Sequence, residues 1–141
     1  MAKQEFKSGD PFVVTAEKIA SFCDAVGDDN PLYLDPVAAA AGPYGAIVAP
    51  PALVASFRYI DDVLDDLPFV TRGGLMAGLD IEILAPIRAG DSISVKSEFK
   101  ESYEKTGRTG TMTFTVVRST LLNQRDEIVA NVDHRMMRRT A

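Results

Sequence analysis

Apolar residues in the first part of the chain recur at intervals of three and four, the spacing that places them on one face of an α-helix. The clearest such face begins after Thr15, whose hydroxyl can cap a helix start, and it stops at Gly27. The apolar run Pro11 to Val14 precedes it and predicts a short strand. The members of the helical face are Ile19, Phe22, Cys23 and Val26.

Two further helices are predicted before the middle of the chain. A short one runs from Val37 to Ala41, capped by Asp35. A glycine-rich loop, Gly42-Pro43-Tyr44-Gly45, and a double proline then lead to the segment Ala52 to Asp66. This segment is apolar around most of its circumference, which is typical of a buried helix. Its apolar positions are Leu53, Val54, Ala55, Phe57, Ile60, Val63 and Leu64.

From Gly73 onward apolar and polar residues alternate, which predicts four strands with one buried face. Successive strands with short connections pair antiparallel, and the apolar face of such a sheet needs a cover. Only the segment Ala52 to Asp66 is large enough, so the pattern predicts an α+β fold with an antiparallel sheet wrapped around one central helix. The alternating residues are Leu79, Ile81 and Ile83, then Ile93, Val95 and Phe99, then Met112, Phe114 and Val116, and finally the run Ile128 to Met136.

Length and composition restrict the class of protein. The chain has 141 residues, which is room for a single domain, and its 46% apolar and 25% charged residues are typical of a globular one. Its net charge of −5 gives no attraction to a phosphate backbone, so we expect no nucleic-acid partner. No apolar run approaches the roughly 20 residues of a membrane span. The first residues lack the apolar core of a signal peptide, so we expect a cytoplasmic protein with no membrane contact.

The chain contains one histidine, His134, and one cysteine, Cys23. These two cannot supply the usual zinc ligands, and a single cysteine excludes an intramolecular disulfide, so no metal site is expected. Cys23 lies on the apolar face of the first helix, where a small buried hydrophobe is the expected role. His134 is expected to be a structural residue of the last strand.

Three local motifs resemble those of the MaoC-like (R)-specific enoyl-CoA hydratases and 3-hydroxyacyl dehydratases. The stretch Ala25-Val26-Gly27-Asp28-Asp29-Asn30-Pro31-Leu32-Tyr33 is similar to their signature Gly-Asp-x-Asn-Pro-aliphatic-His, which follows the first helix. Ala49-Pro50-Pro51-Ala52 resembles the start of their central helix, and the double proline is typical of the N-terminal MaoC-dehydratase subgroup. Pro86-Ile87-x-x-Gly90-Asp91 resembles their matching strand turn. The resemblance covers most of the chain and implies a single hot-dog domain, residues 1–141.

The resemblance also implies a reaction, in which the signature aspartate and histidine add water across the α,β double bond of an acyl thioester, or run the reverse dehydration. It places Asp28 at the catalytic aspartate and Asn30 at the orienting asparagine. Tyr33 stands at the histidine position. A phenol with a pKa of about 10 is a poor base at neutral pH, although it can donate a hydrogen bond or act as an acid. Asp28 could instead be a turn residue, and Tyr33 a packed aromatic.

The start of the predicted central helix is the expected substrate-binding region. Its backbone N–H groups, at Ala52 and its neighbours, suit an enolate-like thioester oxygen. The predicted substrate-binding residues are Pro51, Ala52 and Ser56, although a helix serine also commonly bonds a carbonyl of its own preceding turn. The phosphates of the carrier need a local cation, and the candidates are Arg72, Arg108, Arg135, Arg138 and Arg139.

Three functions remain open at this point. The first is a subunit of an enoyl-thioester hydratase or 3-hydroxyacyl-thioester dehydratase that has an incomplete catalytic dyad and works with a histidine-bearing partner. The second is a self-sufficient hydratase or acyl-CoA thioesterase that uses Asp28. The third is a non-catalytic module that binds acyl thioesters. The resemblance implies a homodimer or a heterodimer with a second hot-dog subunit. The thioester of coenzyme A or acyl carrier protein would be the substrate, with no resident cofactor.

Overall fold

The computed structural model describes residues 5–6, 11–57 and 75–140, which form a group of short helices and one antiparallel sheet. The first helix starts and ends as the sequence predicts. The Thr15 hydroxyl accepts a hydrogen bond from the Lys18 amide at 3.1 Å, and Gly27 ends the helix with a left-handed φ of 74°. The helices are α1 (Ala16–Val26), α2 (Pro31–Leu34) and α3 (Pro36–Ala41), and a 3₁₀ helix (Pro51–Ser56) follows them.

In the described residues, six strands make up the sheet. Its hydrogen-bonded order is β1-β4-β5-β6-β3, and β2 pairs with β4 as well. All the pairings are antiparallel. The fold class predicted from the alternating pattern, α+β with an antiparallel sheet, is therefore confirmed. The strands are β1 (Glu5–Phe6), β2 (Phe12–Val13), β3 (Leu75–Ile83), β4 (Ser92–Gly107), β5 (Gly110–Leu122) and β6 (Ile128–Thr140).

The expectation that successive strands pair holds for β4, β5 and β6 and fails for β3, which pairs with β6. The connection between β3 and β4 is not a hairpin, because its backbone amides bond to other segments. Leu84 and Ala85 donate to the Val129 carbonyl at 2.9 and 3.2 Å, and Gly90 donates to the Val14 carbonyl at 2.6 Å. The connection thus crosses from one edge of the sheet to the other and leaves β3 at an edge.

The inner face of the sheet follows from the register, since residues directly opposite each other share a face. One row contains Val95, Leu121, Ala130 and Ile83, and the first three are fully buried. Ile83 is 41% exposed because it lies on the edge strand. The core includes residues of the inner face and residues of α1 and the 3₁₀ helix, namely Ile19, Cys23, Leu53, Val54 and Phe57.

The burial predicted along β5 holds for Val116, which is 2% exposed, whereas Met112 and Phe114 are half-buried. From residue 115 onward, the register places the inner face of the sheet on the alternate set of residues. The pattern misleads because two of those inner residues are polar. The Ser119 hydroxyl lies 3.0 Å from the Ser97 hydroxyl, so each satisfies the other in the core. The buried inner residues are Thr115, Val117, Ser119 and Leu121.

The ends of two predicted helices differ from the prediction or lie beyond the described residues. Val26, placed on the apolar face of α1, is 58% exposed, because it lies in the last turn, where the chain leaves the core. The predicted central helix from Ala52 to Asp66 begins as the 3₁₀ helix Pro51–Ser56, and its remainder from residue 58 lies outside the described residues. Among the helices that the structure describes, none is both long and apolar enough to cross a bilayer.

Candidate functional site

The signature segment connects α1 to α2, and it turns sharply at Gly27. The Asp28 amide donates to the Cys23 carbonyl at 2.9 Å, which fixes the backbone at the point where the Asp28 side chain begins. The half-buried Asp28 carboxylate then accepts a hydrogen bond through Oδ1 from the Asn30 amide at 3.1 Å. Oδ1 therefore has the predicted turn role. A carboxylate has a second oxygen, and that oxygen can bind water or substrate.

Asn30 caps α2 and so orients the residue at the histidine position. Its Oδ1 accepts from the Leu32 amide at 3.0 Å, and Pro31 occupies the first helical position. The sequence predicts a turn at Asn30-Pro31, and the helical turn over Pro31–Leu34 was not predicted. The sequence does not distinguish the two cases, because an Asn-Pro pair occurs both in turns and at helix starts. As a result, Tyr33 is held on a helix rather than on a loop.

The Tyr33 side chain is half-buried and packs against the hydrophobic core. Burial raises the pKa of its phenol, and the negative charge of Asp28 raises it further, with smaller contributions from Cys23 and Tyr44. The ordinary value is already about 10, so the phenol stays protonated at neutral pH. Tyr33 thus packs against the core as an aromatic side chain. Its phenol keeps its proton, so it can donate a hydrogen bond but cannot act as a base.

Cys23 lies beneath these residues and is fully buried. Burial raises the pKa of its thiol, and the charge of Asp28 raises it as well, so the thiol is protonated and is not a nucleophile. The role of Cys23 as a small buried hydrophobe is as the sequence predicts. The sequence does not predict that Cys23 lies near Asp28 and Tyr33. The available signal is its position one turn before the end of α1, which places it close to the signature segment.

The second half of the candidate site is the start of the 3₁₀ helix. Pro51, Ala52 and Ser56 are exposed, and the Leu53 amide makes the first hydrogen bond of the helix, to the Pro50 carbonyl at 3.0 Å. The Ser56 hydroxyl donates to the Leu53 carbonyl at 2.6 Å, which is the bond to its own preceding turn.

The two halves of the site are tied together through the backbone. The Val48 amide donates to the Leu32 carbonyl at 3.3 Å, which attaches the segment before the 3₁₀ helix to α2. Tyr33 packs against the core cluster that contains Cys23 from α1 and Leu53 from the 3₁₀ helix. The Val48 bond thus attaches the segment that leads into the double proline to the helix of the signature.

The other candidate residues lie elsewhere. His134 is buried on the inner face of β6, opposite Val117 of β5 and Leu79 of β3, which agrees with a structural strand residue. Arg135 bonds Asp80 on the neighbouring strand at 3.1 Å. Arg108, Arg138 and Arg139 are exposed, and Arg72 lies outside the described residues. In the parts of the chain that the structure covers, no three His, Cys, Asp or Glu side chains converge on a possible metal site.

Comparison with known sequences identifies the family. The model of the family described as "FAS1-like, dehydratase domain region" matches residues 3–132. A UPF0336 protein of Streptomyces avermitilis is 38% identical over 92 residues, which are 62% of this chain and 61% of that protein. The chain therefore spans about three fifths of the length of this curated relative.

Comparison with solved structures identifies the fold. The C-terminally truncated HadBC complex of Mycobacterium tuberculosis, a 3R-hydroxyacyl-ACP dehydratase, gives a TM-score of 0.81 at 23% identity, over 96% of each chain. The ChsH1–ChsH2 complex of the same organism gives 0.75 at 23% identity, over 94% of this chain and 87% of that one. An (R)-hydratase of A. caviae involved in PHA biosynthesis gives 0.69 at 19% identity, over 95% and 92%. The chain belongs to the FAS1-like dehydratase-region family and has the hot-dog fold of the MaoC-like hydratases.

Proposed function

We propose that the chain is a subunit of an enoyl-thioester hydratase or 3-hydroxyacyl-thioester dehydratase, and that it works in the cytoplasm with a second, histidine-bearing hot-dog subunit. The observation that carries the proposal is the pair Asp28 and Tyr33. The family's carboxylate is present and half-buried, while the family's base is replaced by a phenol that keeps its proton. A site of this kind has one half of the family's acid–base dyad.

Hydration of an enoyl thioester needs two proton transfers. Water loses a proton as its oxygen bonds to the β-carbon, and the α-carbon gains a proton as the double bond is consumed. Asp28 can hold the water and accept its proton. The second transfer needs an acid at the α-carbon, and the Tyr33 phenol, whose pKa is raised above its ordinary value of about 10, gives up its proton poorly at neutral pH. The histidine of a partner subunit would complete the site, while this chain contributes Asp28 and binds the acyl thioester.

The start of the 3₁₀ helix would hold the thioester. In this proposal the backbone N–H of Ala52 donates to the carbonyl oxygen as it becomes enolate-like, and Pro51 shapes the entry to that position. Ser56, whose hydroxyl donates to Leu53, contributes to substrate binding through its position on the exposed side of the helix. The substrate is a thioester of coenzyme A or acyl carrier protein, and no resident cofactor takes part.

A paired assembly is supported by the edge of the sheet. β3 is an edge strand on which Leu75 is 66% exposed and Met76 is 44% exposed. An exposed apolar edge strand is a surface on which another strand can pair. The names of two structural neighbours, HadBC and ChsH1–ChsH2, describe complexes of two components. By analogy, we propose that a second hot-dog subunit pairs at β3.

The proposal is tested by following the loss of enoyl-thioester absorbance when crotonyl-CoA, or a longer trans-2-enoyl-CoA, is mixed with the chain. We expect little turnover by the chain alone and turnover on addition of a histidine-bearing hot-dog partner. Asp28→Asn should remove that turnover. Asp29→Asn, the same charge change on the exposed neighbour, should leave it intact. Equal turnover by Asp28→Asn and the unsubstituted assembly would show that Asp28 is not catalytic.

A second candidate is a self-sufficient hydratase or acyl-CoA thioesterase, in which Asp28 activates water and Tyr33 donates to the substrate. The protonated Tyr33 phenol beside Asp28 favours it. Turnover or thioester hydrolysis by the chain alone, lost in Asp28→Asn, would select this candidate. Binding of acyl-CoA with no turnover, even with the partner present, would select the non-catalytic binding module.

A further inference from the structure

The glycine-rich loop, residues 42–45, lies directly over α2. A Cβ atom on Gly42 would come within 2.8 Å of Cδ2 of Leu32, so the loop backbone is in close contact with the helix that carries Tyr33. The Gly42 amide donates to the Ala39 carbonyl at 3.1 Å, and Gly45 turns the chain with a left-handed φ of 71°. The loop therefore has a defined position on the helix that carries Tyr33.

Tyr44 is the loop residue with a reactive or polar side chain. It is 42% exposed, whereas Tyr33 is half-buried, so the two phenols lie at different depths. The charge of an ionised Tyr44 phenol makes the smallest contribution to the raised pKa of Tyr33, which agrees with the packing of the loop on α2. An exposed phenol near a half-buried one can meet the part of a ligand that extends from the site to solvent.

Arg88 fixes the backbone of Tyr44 from the opposite side. Its guanidinium Nε donates to the Tyr44 carbonyl at 3.2 Å. On the same turn, the Ala89 amide donates to the Ile47 carbonyl at 2.9 Å, and the Ala49 amide donates to the Ile87 carbonyl at 2.8 Å. These bonds attach the whole segment between the glycine-rich loop and the double proline to the turn around Arg88.

The turn itself is held by a buried carboxylate. Asp91 is only 6% exposed; its Oδ2 accepts from the Arg88 amide at 2.8 Å, and its Oδ1 accepts from the Gln124 side chain at 2.9 Å. Arg88 is therefore fixed at its backbone before its side chain reaches the loop. Because its backbone is already fixed, the Arg88 side chain can hold the Tyr44 carbonyl in place at a reduced entropic cost.

We propose that Tyr44 binds the pantetheine arm of the acyl thioester and that Arg88 is the positioning residue that holds Tyr44 beside Tyr33. This inference rests on the proposed function. The reacting thioester belongs next to Asp28 and Tyr33, and the amide-rich arm leads from there to solvent, where the exposed Tyr44 hydroxyl can hydrogen-bond it. The arm is common to coenzyme A and acyl carrier protein.

The ligand-independent test uses protein labelled with ¹³C at tyrosine Cζ. Arg88→Met removes the donor to Tyr44 and keeps an apolar stem, while Arg125→Met removes a comparable charge from a residue bonded to Glu127 instead. We expect Arg88→Met to shift the Tyr44 and Tyr33 resonances and leave that of Tyr103 in place. Arg125→Met should shift none of these three. Unchanged Tyr44 and Tyr33 resonances in Arg88→Met would overturn the positioning role.

The binding test measures Kd by calorimetry for crotonyl-CoA and for crotonyl-pantetheine. Tyr44→Phe and Arg88→Met should each weaken both ligands by about threefold to tenfold, the factor that one lost hydrogen bond gives. Arg125→Met should bind as the unsubstituted chain does. A loss confined to crotonyl-CoA would place the contact on the nucleotide and overturn the pantetheine contact.

Two negative outcomes are distinguishable. If the unsubstituted chain binds crotonyl-CoA and Tyr44→Phe binds it equally well, the role of Tyr44 is wrong and the proposed function stands. If neither the unsubstituted chain nor its assembly with a histidine-bearing partner binds the thioester, the proposed function is wrong, and the substrate role of Tyr44 is overturned with it.

Discussion

At the scale of single residues, Tyr33 and Asp28 differ in what they can do with a proton. The Tyr33 phenol is held protonated by burial and by the nearby carboxylate, while Asp28 has one oxygen engaged by Asn30 and a second with which to bind water. An imidazole at the same place would titrate near neutral pH and serve as both base and acid. In the proposed function, the identity of this one side chain therefore decides whether the chain has a complete dyad.

Tyr33→His should therefore create or raise hydratase activity in the chain alone. A positioned general acid–base contributes about 10²–10⁴-fold, and imperfect placement of the new ring would put the gain at the low end. The measurement is crotonyl-CoA hydration without a partner, compared with Tyr33→Phe, which removes the hydroxyl and adds no base. If Tyr33→His and Tyr33→Phe have the same rate, position 33 does not face the reacting atoms.

Gly42→Ala tests whether the loop packs on α2 as described. The added methyl would meet Cδ2 of Leu32 at 2.8 Å, so the Leu32 side chain must rotate or the loop must shift, and we expect a loss of about 1 kcal/mol in unfolding free energy, the low end for overpacking, because the clash is with the end of a side chain. Gly107→Ala is the control, because nothing lies within 4 Å of a Cβ there. Urea unfolding of both variants measures the difference, and equal stability of the two would contradict the described contact.

At the scale of elements, what the sequence predicts depends on whether the signal is local. Caps and periodicity are local, so α1, α3 and the long strands were predicted from residues such as Thr15, Asp35 and Gly27. The order of the strands was not, because β3 finds its partner in β6 and no short motif encodes that pairing. The inner face of β5 beyond Val116 is not predicted, because polar residues such as Ser119, whose hydroxyl lies within hydrogen-bond distance of that of Ser97, interrupt the apolar alternation. Asp28 and Tyr33 belong to a local motif, so the sequence predicts them. The bond between Arg88 and Tyr44 joins residues that lie 44 positions apart, so it is found only in the tertiary structure.

The outer face of the sheet contains a charge cluster centred on Asp133 of β6. Arg118 donates to both of its oxygens, at 2.8 and 3.1 Å, and Lys100 donates at 2.9 Å. Burial raises the pKa of Asp133, but the hydrogen bonds from Arg118 and Lys100 outweigh burial, and the pKa of this carboxyl lies below its ordinary value. The ionised form is therefore the form that the folded sheet stabilises.

Asp133→Asn should destabilise the protein by about 1.5–3 kcal/mol at neutral pH, the range for hydrogen bonds to charged groups. A carboxyl with a lowered folded pKa contributes stability above its unfolded pKa of about 3.9 and loses it as the pH falls through the folded value. The difference between Asp133→Asn and the unsubstituted protein should therefore shrink below about pH 4. Urea unfolding from pH 3 to 7 measures it, with the exposed Asp24→Asn as control. A difference that is constant with pH would contradict the described charge cluster.

At the scale of the whole molecule, β3 is the apolar edge of the sheet among the strands that the structure describes, and the proposed assembly depends on it. The double substitution Leu75→Lys with Leu84→Lys adds charge at two side chains that are 66% and 51% exposed, so the fold should survive. We expect it to abolish pairing, seen as a monomer in light scattering after size exclusion. Val37→Lys, on a side chain that is 80% exposed on α3, should leave the assembly unchanged. Pairing that persists in the double variant would place the interface elsewhere.

The pairing of β3 with β6 also determines the order in which the molecule can form. The two strands are separated by roughly fifty residues of chain, and contacts of such separation slow folding because the loop must close before they are gained. During synthesis β3 leaves the ribosome before β6, its partner among the described strands. The hairpin of β4 and β5 can form in that interval, since its strands are neighbours in sequence. An apolar strand whose partner is synthesised later is exposed to wrong pairings in the meantime, so β3 can join the sheet only after β6 has formed.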